Sequence, residues 1–430
     1  MLTKERRKEL IMSIVLKSVI VAGGFVGVLL SFLMTEIGAN NEALYYTVQS
    51  NIWIWCVMVV FLALDCVAMR KGQEVVPQWL RTVKFVCTVA ITLTGFVYNF
   101  VLFPASLGSA NPTNPLAADS FFVHIFVPVL SIADFIRFDY RLKVNRRTAF
   151  YGLITPLYYL PFSLIAAELG ANFKGSRFPY FFLNHEKLSW FGFNGMPGVF
   201  YWLFIVLGIV LGIAYILLAC QKKRQKSEKI KEFKCFRENY QFNCKKLTKK
   251  GEAIYLGKVC VEDKEGNKTF ETDSFINTGY GSKNSISRVL SNLYPHSFKF
   301  RGKRVASIEG VLQGIKYKDK KLQNEILKYS GLDAYHTRAC NSQDFWGSDG
   351  LLYWQGKPMK RDSQVYQKFL DELYICASAC PVYKKALLST GDKYLLHHIG
   401  NEDVTQTVLT RYEYELRMAA LREFLRKEEN

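Results

Sequence analysis

The sequence predicts a protein of two unlike parts: a six-helix α-helical transmembrane bundle followed by a mostly helical α+β soluble domain. Long apolar runs fill the chain as far as about Cys220, and after Gln221 the composition is that of an ordinary charged soluble protein. A helix needs about 20 residues to cross the hydrocarbon of a membrane. We therefore expect a transmembrane domain at residues 1–220, a basic juxtamembrane linker at 221–250 and a soluble domain at 251–430.

Six apolar segments in the first half are each near this length. Buried helices of a soluble protein rarely run so long with so few charges, so a soluble six-helix domain is the weaker alternative. The first segment is longer than a signal peptide and lacks a small-residue cleavage site, so we expect it to be retained as a span. The segments are residues 11–34, 46–69, 81–103, 119–138, 148–168 and 198–220.

The distribution of Lys and Arg predicts how the spans are oriented, because cytoplasmic loops carry the excess of basic residues. The loops "TEIGANNEAL" and "ASLGSANPTNPLAADS" contain no Lys or Arg. The N-terminal stretch, the second-to-third and fourth-to-fifth loops and the segment "QKKRQKSEKIK" after the last span are basic. We therefore expect an integral membrane protein with both termini and the soluble domain in the cytoplasm.

The formal net charge of +19 is divided unevenly between the two halves. Residues 1–220 hold 17 basic and 11 acidic side chains, and residues 221–430 hold 39 and 26, which leaves +6 and +13. A basic cytoplasmic domain favours a polyanionic partner: a nucleic acid, a phosphate-bearing ligand or the anionic leaflet of the bilayer. The ten cysteines show no zinc-site spacing, so we expect no metal, and the sequence predicts no cofactor.

Polar residues inside apolar spans are costly, and two of them could form a reactive pair. "YYTVQSNIW" opens the second span and "FFVHIFVPVLSIADF" opens the fourth, which places Thr47 and His124 at similar depth. A hydroxyl and an imidazole at one depth could act as nucleophile and base, or could simply join neighbouring helices by hydrogen bonds. Charged residues expected either to form structural ion pairs or to extend toward the membrane surface are Lys17, Lys84, Asp65 and Asp134.

The six-span plan, the "YTVQSN" start of the second span and the pattern H-x-x-x-P-x-x-x-x-x-D in the fourth resemble the androgen-induced and androgen-dependent TFPI-regulating family of membrane proteins. The resemblance covers roughly residues 10–220. It implies a threonine hydrolase that acts on lipid esters, with Thr47 and His124 in the reactive positions.

In the second half, local patterns predict two strand pairs followed by four helices. "EAIYLGKVCVED" and "NKTFETDSFIN" are typical of strands around a turn, and "SFKFRGKRVAS" is typical of a shorter pair. The helices are expected at about residues 307–318, 321–330, 363–378 and 404–426.

The first of these helices carries the acidic residue of most interest. Ser307 is expected to cap the helix that begins at Ile308. Glu309, Gln313 and Lys316 then fall on one stripe, because positions i, i+4 and i+7 share a helix face. In one alternative the stripe is solvated, and the negative charge of Glu309 is stabilised by the helix dipole. In the other the helix holds a functional carboxylate rigidly in place. The two glycines of the helix leave room for close approach of another backbone.

Five blocks in this region occur in the order "LSNLYPHSF", "SIEGVLQGIK", "LLYWQGKPMKR", "ALLSTGDKYLLHHIG" and "TVLTRYE". Together they resemble the NADAR family, over about residues 285–425. The resemblance implies hydrolysis of ribosyl–nitrogen bonds in NAD-derived or riboflavin-pathway compounds, or removal of ADP-ribose from guanine. Gly310 stands where a common variant of the family has histidine, which leaves the substrate class open.

The matching blocks also imply site residues. A buried carboxylate such as Glu309 can stabilise positive charge on the sugar or deprotonate the attacking water. Trp354 could stack on a base and Arg361 could bind a pyrophosphate, or the two could serve packing and surface roles. The candidate catalytic residues are Glu309, Lys316, Trp354 and Asp403. The candidate ligand-binding residues are Ser291, Asn292, Gln313, Arg361, Asp392 and His398.

Three functions follow as hypotheses. The favoured one is a membrane-anchored N-glycosidase that hydrolyses an ADP-ribosylated guanine or an NAD-derived nucleotide, in stress or phage defence. Its partners would be an ADP-ribose-containing nucleotide or nucleic acid and the lipid bilayer; no oligomeric state is predicted. The second is an intramembrane Thr/His lipid-ester hydrolase with a regulatory soluble domain. The third is a non-catalytic sensor of an ADP-ribose-like ligand, coupled to the membrane domain.

Overall fold

The chain folds into two compact units, Met1–Lys226 and Ser227–Asn430, each with its own hydrophobic core. The structure is a computed structural model. It describes residues 4–33, 42–73, 76–107, 114–173, 175–192, 195, 197–240, 261–262, 268–269, 275–336, 350–397 and 399–429.

The first unit contains six helices that are long and apolar enough to cross a membrane, which confirms the six predicted spans. The last helix differs most from its predicted segment: it runs for 41 residues, because the charged stretch after Cys220 stays helical. The six apolar helices indicate an integral membrane protein. The helices are Arg6–Leu33, Tyr46–Lys71, Gln78–Ser106, Ala118–Phe138, Thr148–Glu168 and Val199–Asn239.

Two of the spans change to π-helical geometry where they meet. Tyr98–Leu102 is π-helical within the third span, and Phe122–Phe126 is π-helical within the fourth. The rings of Tyr98 and His124 stack between these segments, with centroids 3.5 Å apart. π-Helical turns are rare and often occur at functional sites, so this crossing is one place to look for function.

The predicted ion pairs inside the first unit are confirmed. Lys84 Nζ lies 2.5 Å from a carboxylate oxygen of Asp134 and 2.6 Å from one of Asp139. Lys17 Nζ lies 3.0 Å from Asp65 and 3.1 Å from Asp134. Buried charges need such partners, because transfer of an unpaired ion out of water costs several kcal/mol.

The second unit is a mixture of short helices and short strands, as predicted. The helices are Ser285–Leu290, Ile308–Gly314, Lys320–Ile326, Gly331–Tyr335, Gln364–Ala377, Pro381–Ser389 and Arg411–Glu429. The strands are β1 Val261–Glu262, β2 Lys268–Thr269, β3 Phe275–Asn277, β4 Phe298–Phe300, β5 Lys303–Val305, β6 Leu351–Trp354, β7 Lys357–Lys360 and β8 Tyr394–Leu396.

The strands pair in twos. β4 and β5 form the antiparallel pair predicted from "SFKFRGKRVAS", and β6 pairs with β7 in the same way. β1 and β2 pair antiparallel inside the region where two strands were predicted; most of residues 251–274 lies outside the described residues. β3 and β8 form a parallel pair that was not predicted, with Asn277 opposite Leu396.

Two helices of the second unit are shorter than predicted. The helix expected at 307–318 already ends at Gly314, so Lys316 follows the helix instead of lying on it. The helix expected at 404–426 begins only at Arg411, because residues 404–410 form turns. Three short helices were missed, since fewer than three turns show little periodicity: Ser285–Leu290, Gly331–Tyr335 and Pro381–Ser389.

The first part of the expected linker at 221–250 is not a separate segment but a continuation of the last helix. The last helix continues to Asn239, and residues from Ser227 onward belong to the second unit. Phe233 is fully buried there and packs on Phe424, with ring centroids 5.5 Å apart. Residues 241–250 lie outside the described residues.

Candidate active site

The Ile308–Gly314 helix is fixed at its start by a cap and a close backbone contact. Ser307 Oγ accepts a hydrogen bond from the Gly310 backbone N–H at 2.9 Å, as predicted for an N-cap. A Cβ atom at Gly310 would lie 3.2 Å from the backbone oxygen of Ile326, so this glycine permits a close approach. The helix is therefore held against its neighbour at the turn that carries Glu309.

Glu309 projects from this first turn into a partly buried polar environment. Its backbone N–H donates to the carbonyl oxygen of Asn292 at 3.0 Å. Its carboxylate accepts a hydrogen bond of 2.6 Å from the side-chain amide of Gln313. Burial raises the pKa of Glu309, while the Gln313 hydrogen bond and the Lys316 charge act in the opposite direction. The carboxyl is thus not solvated freely, which is the opposite of the alternative considered from the sequence.

Asn292 is held in this group by Tyr374, a residue that no sequence pattern predicted for the site. The Tyr374 hydroxyl, on the Gln364–Ala377 helix, donates to Asn292 Oδ1 at 3.0 Å. Tyr374 is fully buried; burial and, to a smaller extent, the negative charge of Glu309 raise the pKa of its hydroxyl. A buried tyrosine hydroxyl needs a partner, but no pattern in the sequence identifies which one.

Gln313 provides the clearest sign of a ligand. Its side chain is only 6 % exposed, and its Oε1 has no hydrogen-bond partner among the residues that the structure describes. Because buried acceptors are almost always paired, this oxygen is suited to a donor from outside the protein, such as a ligand hydroxyl or water. The structure therefore brings together Asn292, Glu309, Gln313 and Lys316 of the expected site. Ser291 is buried beside Asn292, and its Oγ accepts a hydrogen bond from Leu293 N–H.

Trp354 and Arg361 have partners within the protein, which favours the packing and surface alternative considered for them from the sequence. Trp354 is 8 % exposed and packs against Phe300 and Phe369, with centroids 5.0 and 5.6 Å away. Arg361 is buried and forms a two-pronged ion pair with Glu413, at 2.9 and 2.6 Å. A ring inside the core and a guanidinium already engaged by a carboxylate favour packing and pairing over ligand binding.

The late acidic residues do not share the environment of Glu309. The Asp392 side chain is 97 % exposed and pairs with Arg426, which lowers the pKa of this carboxyl. Asp403 is also exposed, and hydrogen bonds from Thr405 lower its pKa. Exposed carboxyls of lowered pKa are less suited to proton transfer near neutral pH than a buried one, and the catalytic role of Asp403 stays a prediction. His398 lies outside the described residues.

Glu415 is a second acidic residue with a perturbed environment, and the sequence did not single it out. It is fully buried on the Arg411–Glu429 helix and accepts a 2.6 Å hydrogen bond from the His397 backbone N–H. Burial raises its pKa to about 8. Its other oxygen, Oε2, has no hydrogen-bond partner within the described part of the chain. Its donor, His397, directly follows β8, so Glu415 joins the Arg411–Glu429 helix to the end of this strand.

Thr47 and His124 lie in the first unit near an apolar cavity. The cavity has a volume of about 120 Å³, and its wall includes Thr47, Tyr98 and Tyr180. The stacked pair of Tyr98 and His124 connects the imidazole to this wall. The Asn51 side-chain amide donates to Thr47 O at 2.8 Å and to Val123 O, next to His124, at 3.1 Å. The two candidate residues therefore lie at one level of the bundle.

Comparison with known proteins gives a family match for one part of the chain. A family model described as Bacteriophage protein GP30.3 matches residues 284–423. The matched segment contains Glu309, Gln313 and Lys316. The match confirms neither the NADAR resemblance nor the resemblance of the first half to the androgen-induced family. No curated protein matches the chain. No solved structure matches it either.

Proposed function

We propose that the second unit hydrolyses a ribosyl–nitrogen bond, with Glu309 as the residue that acts on the sugar and the attacking water. The observation that carries this proposal is the placement of the Glu309 carboxyl: partly buried, of raised pKa, and hydrogen-bonded to Gln313. Rupture of a ribosyl–nitrogen bond develops positive charge on the sugar, as in glycoside hydrolysis. A partly buried carboxylate, screened from bulk water, stabilises such a charge more strongly than one in water.

The raised pKa also suits proton transfer. A general base works best when its pKa lies near the working pH, and an ordinary glutamate is too weak a base for this task. Burial moves the Glu309 pKa upward, and Gln313 and Lys316 keep the carboxylate form accessible. Glu309 would accept the proton of the attacking water as the water oxygen bonds to the sugar carbon and the bond to the base nitrogen breaks.

The neighbouring residues provide positioning. Asn292, held by the Tyr374 hydroxyl, fixes the backbone N–H of Glu309, and the unpaired Oε1 of Gln313 can accept a hydrogen bond from a sugar hydroxyl. The positive charge of the second half suits a phosphate-bearing substrate. We therefore propose an ADP-ribose-containing nucleotide or nucleic acid as the substrate.

The test is turnover by the full chain reconstituted in lipid nanodiscs. Wild-type protein is incubated with ADP-ribosylated guanosine, ADP-ribosylated nucleic acid and NAD, and released base or ribose is measured. We expect release with at least one of these compounds, and a loss of about 10²-fold or more in Glu309→Gln. Glu325→Gln is the matched control, because Glu325 is an exposed glutamate on the following helix. Equal rates in the two variants would contradict the proposal, and binding without release would favour the sensor hypothesis.

A second candidate function belongs to the first unit: hydrolysis of a lipid ester by Thr47 with His124. The specific observation in its favour is the apolar cavity, which has Thr47 in its wall and room for part of an acyl chain. A probe that labels nucleophilic hydroxyls should react with wild type and not with Thr47→Ala. Thr92→Ala, in the third span, is the control; equal labelling of both variants would rule this function out.

A further inference from the structure

The apolar cavity of the first unit has six hydroxyl groups in its wall. The cavity has a volume of about 120 Å³, and the rest of its described wall is apolar, with Leu93, Leu160 and Leu203 from three different spans. The hydroxyls belong to Tyr46, Thr47, Thr94, Tyr98, Tyr159 and Tyr180. A buried polar group without a partner is costly, so the partner of each hydroxyl indicates what the cavity can hold.

Five of these six hydroxyls already have a hydrogen-bond partner inside the protein. The pairs are Tyr46 with the Thr155 hydroxyl at 2.9 Å, Tyr159 with the Leu44 carbonyl at 2.9 Å, Thr94 with the Ser50 hydroxyl at 2.7 Å and Tyr180 with Thr47. A buried hydroxyl that is paired in this way does not require a partner from a bound molecule.

The Tyr98 hydroxyl is the exception among the six. Tyr98 is only 7 % exposed, and its hydroxyl has no hydrogen-bond partner within the described part of the chain. Its ring stacks on the His124 ring with centroids 3.5 Å apart, which limits how the Tyr98 ring can turn. Buried tyrosine hydroxyls are almost always paired, so this one is suited to an acceptor that a bound molecule supplies.

The composition of the wall indicates which kind of molecule supplies that acceptor. No Lys, Arg, His, Asp or Glu is among the described residues that line the cavity. An ionised headgroup would lose its hydration there without gaining a counterion, which is strongly unfavourable. An acyl chain, in contrast, is stabilised by contact with leucine and aromatic side chains. The cavity therefore suits an uncharged lipid whose carbonyl oxygen matches the one free donor.

We propose that the cavity binds an uncharged acyl lipid and that the Tyr98 hydroxyl donates a hydrogen bond to the carbonyl oxygen of that lipid. Tyr98 thereby selects lipids with a carbonyl group over lipids without one. The inference deepens the second candidate function, on which it rests for the choice of an acyl ester. Binding does not require turnover, so it can be tested apart from the reaction of Thr47.

The test measures the Kd of radiolabelled lipids for the full chain in phosphatidylcholine nanodiscs, with binding to empty nanodiscs subtracted. The first probe is the ketone analogue of monooleoylglycerol, which keeps the carbonyl and cannot be hydrolysed. The second is the ether analogue, in which a CH₂ group replaces the carbonyl, and the third is oleate. Tyr98→Phe removes the free hydroxyl and keeps the ring. Tyr46→Phe is the matched control, because it removes a hydroxyl of the same wall that Thr155 already pairs.

We expect wild type to bind the ketone about 5-fold more tightly than the ether, which is the size of effect expected for one neutral hydrogen bond. Tyr98→Phe should bind the two lipids equally, whereas Tyr46→Phe should keep the preference of wild type. Oleate should bind wild type at least about 10-fold more weakly than the ketone, because its charge has no partner in the wall.

The inference is overturned if wild type binds the ketone and the ether equally, if Tyr98→Phe keeps the preference, or if oleate binds as tightly as the ketone. The comparison of ketone with ether in wild type depends on no variant, so the inference stays falsifiable if Tyr98→Phe does not fold. Preference for the ketone, without release of fatty acid from monooleoylglycerol itself, would contradict the second candidate function and support this inference.

Discussion

At the scale of single residues, burial and hydrogen bonding separate the acidic side chains of the second unit into two groups. Glu309 and Glu415 are removed from water and have raised pKa values, whereas Asp392 and Asp403 are exposed and have lowered ones. All four belong to the segment that matches the bacteriophage family, so a sequence match alone does not distinguish them. Burial and hydrogen bonding do distinguish them, and of the four acids Glu309 has the neighbours that suit the proposed hydrolysis.

The first prediction concerns the pH dependence of the proposed reaction. The amide of Gln313 donates to the Glu309 carboxylate and so lowers its pKa against the effect of burial. Gln313→Leu removes this donor, and the pKa of Glu309 should rise further. If Glu309 must be ionised, the acidic limb of the rate profile should move to higher pH, while the rate at high pH changes less. An unshifted limb would show that Glu309 is not the group that titrates.

The second prediction concerns stability and Glu415. Burial raises its pKa to about 8 in the folded protein, whereas an unfolded glutamate titrates near ~4.3. The folded state holds the proton more tightly, so this contribution to stability is full below the unfolded pKa and is lost as the pH rises through the folded value. We expect Glu415→Gln to lose less thermal stability than wild type between about pH 5 and pH 8. A parallel loss in both proteins would contradict the raised pKa.

At the scale of elements, the Ile308–Gly314 helix shows how much the sequence could predict. Its N-cap, its start and the buried side of its first turn follow from local rules, and the β4–β5 pair follows from alternation and turn residues. The parallel pairing of β3 with β8 does not, because it joins segments more than a hundred residues apart whose strands have three residues each. The contact of Tyr374 with Asn292 is not predictable either, because these two residues are also far apart in the sequence.

The third prediction tests the helix as the mount of Glu309. Ser307→Ala removes the cap and should lower the free energy of unfolding by about 1 kcal/mol. It should also reduce turnover, because the first turn that carries Glu309 is loosened. Ser363→Ala removes the equivalent cap of the Gln364–Ala377 helix and is the control. We expect a similar loss of stability there without the loss of turnover, and equal losses of turnover would show that the cap acts only through global stability.

At the scale of the whole molecule, each unit buries charged side chains as ion pairs. In the first unit Lys84 pairs with Asp134 among apolar helices, and in the second unit, which is basic in composition, Arg361 pairs with Glu413. The six spans were predictable because apolar length is a strong signal. The partners of the buried lysines were predictable only as a class, since several acids lie at similar depth and Asp139 was not among those considered.

The fourth prediction follows from the network around Lys84. Lys84→Met leaves Asp134 and Asp139 short of a counterion, and removal of one partner of a buried pair typically costs about 3–5 kcal/mol. We expect a large fall in the melting temperature of the protein in nanodiscs. Lys84→Met combined with Asp139→Asn should recover part of it, because Lys17 still pairs with Asp134. A double variant less stable than the single one would show that the pairing is not the stabilising feature.

We propose that Glu309 performs chemistry on a bound ribosyl compound. The most direct measurement compares binding and turnover of ADP-ribosylated guanosine by the full chain with Glu309→Gln, a change that keeps the shape of the side chain. We predict affinity close to that of wild type and release of guanine that is slower by about 10²-fold or more. Release at the wild-type rate in Glu309→Gln would contradict the account.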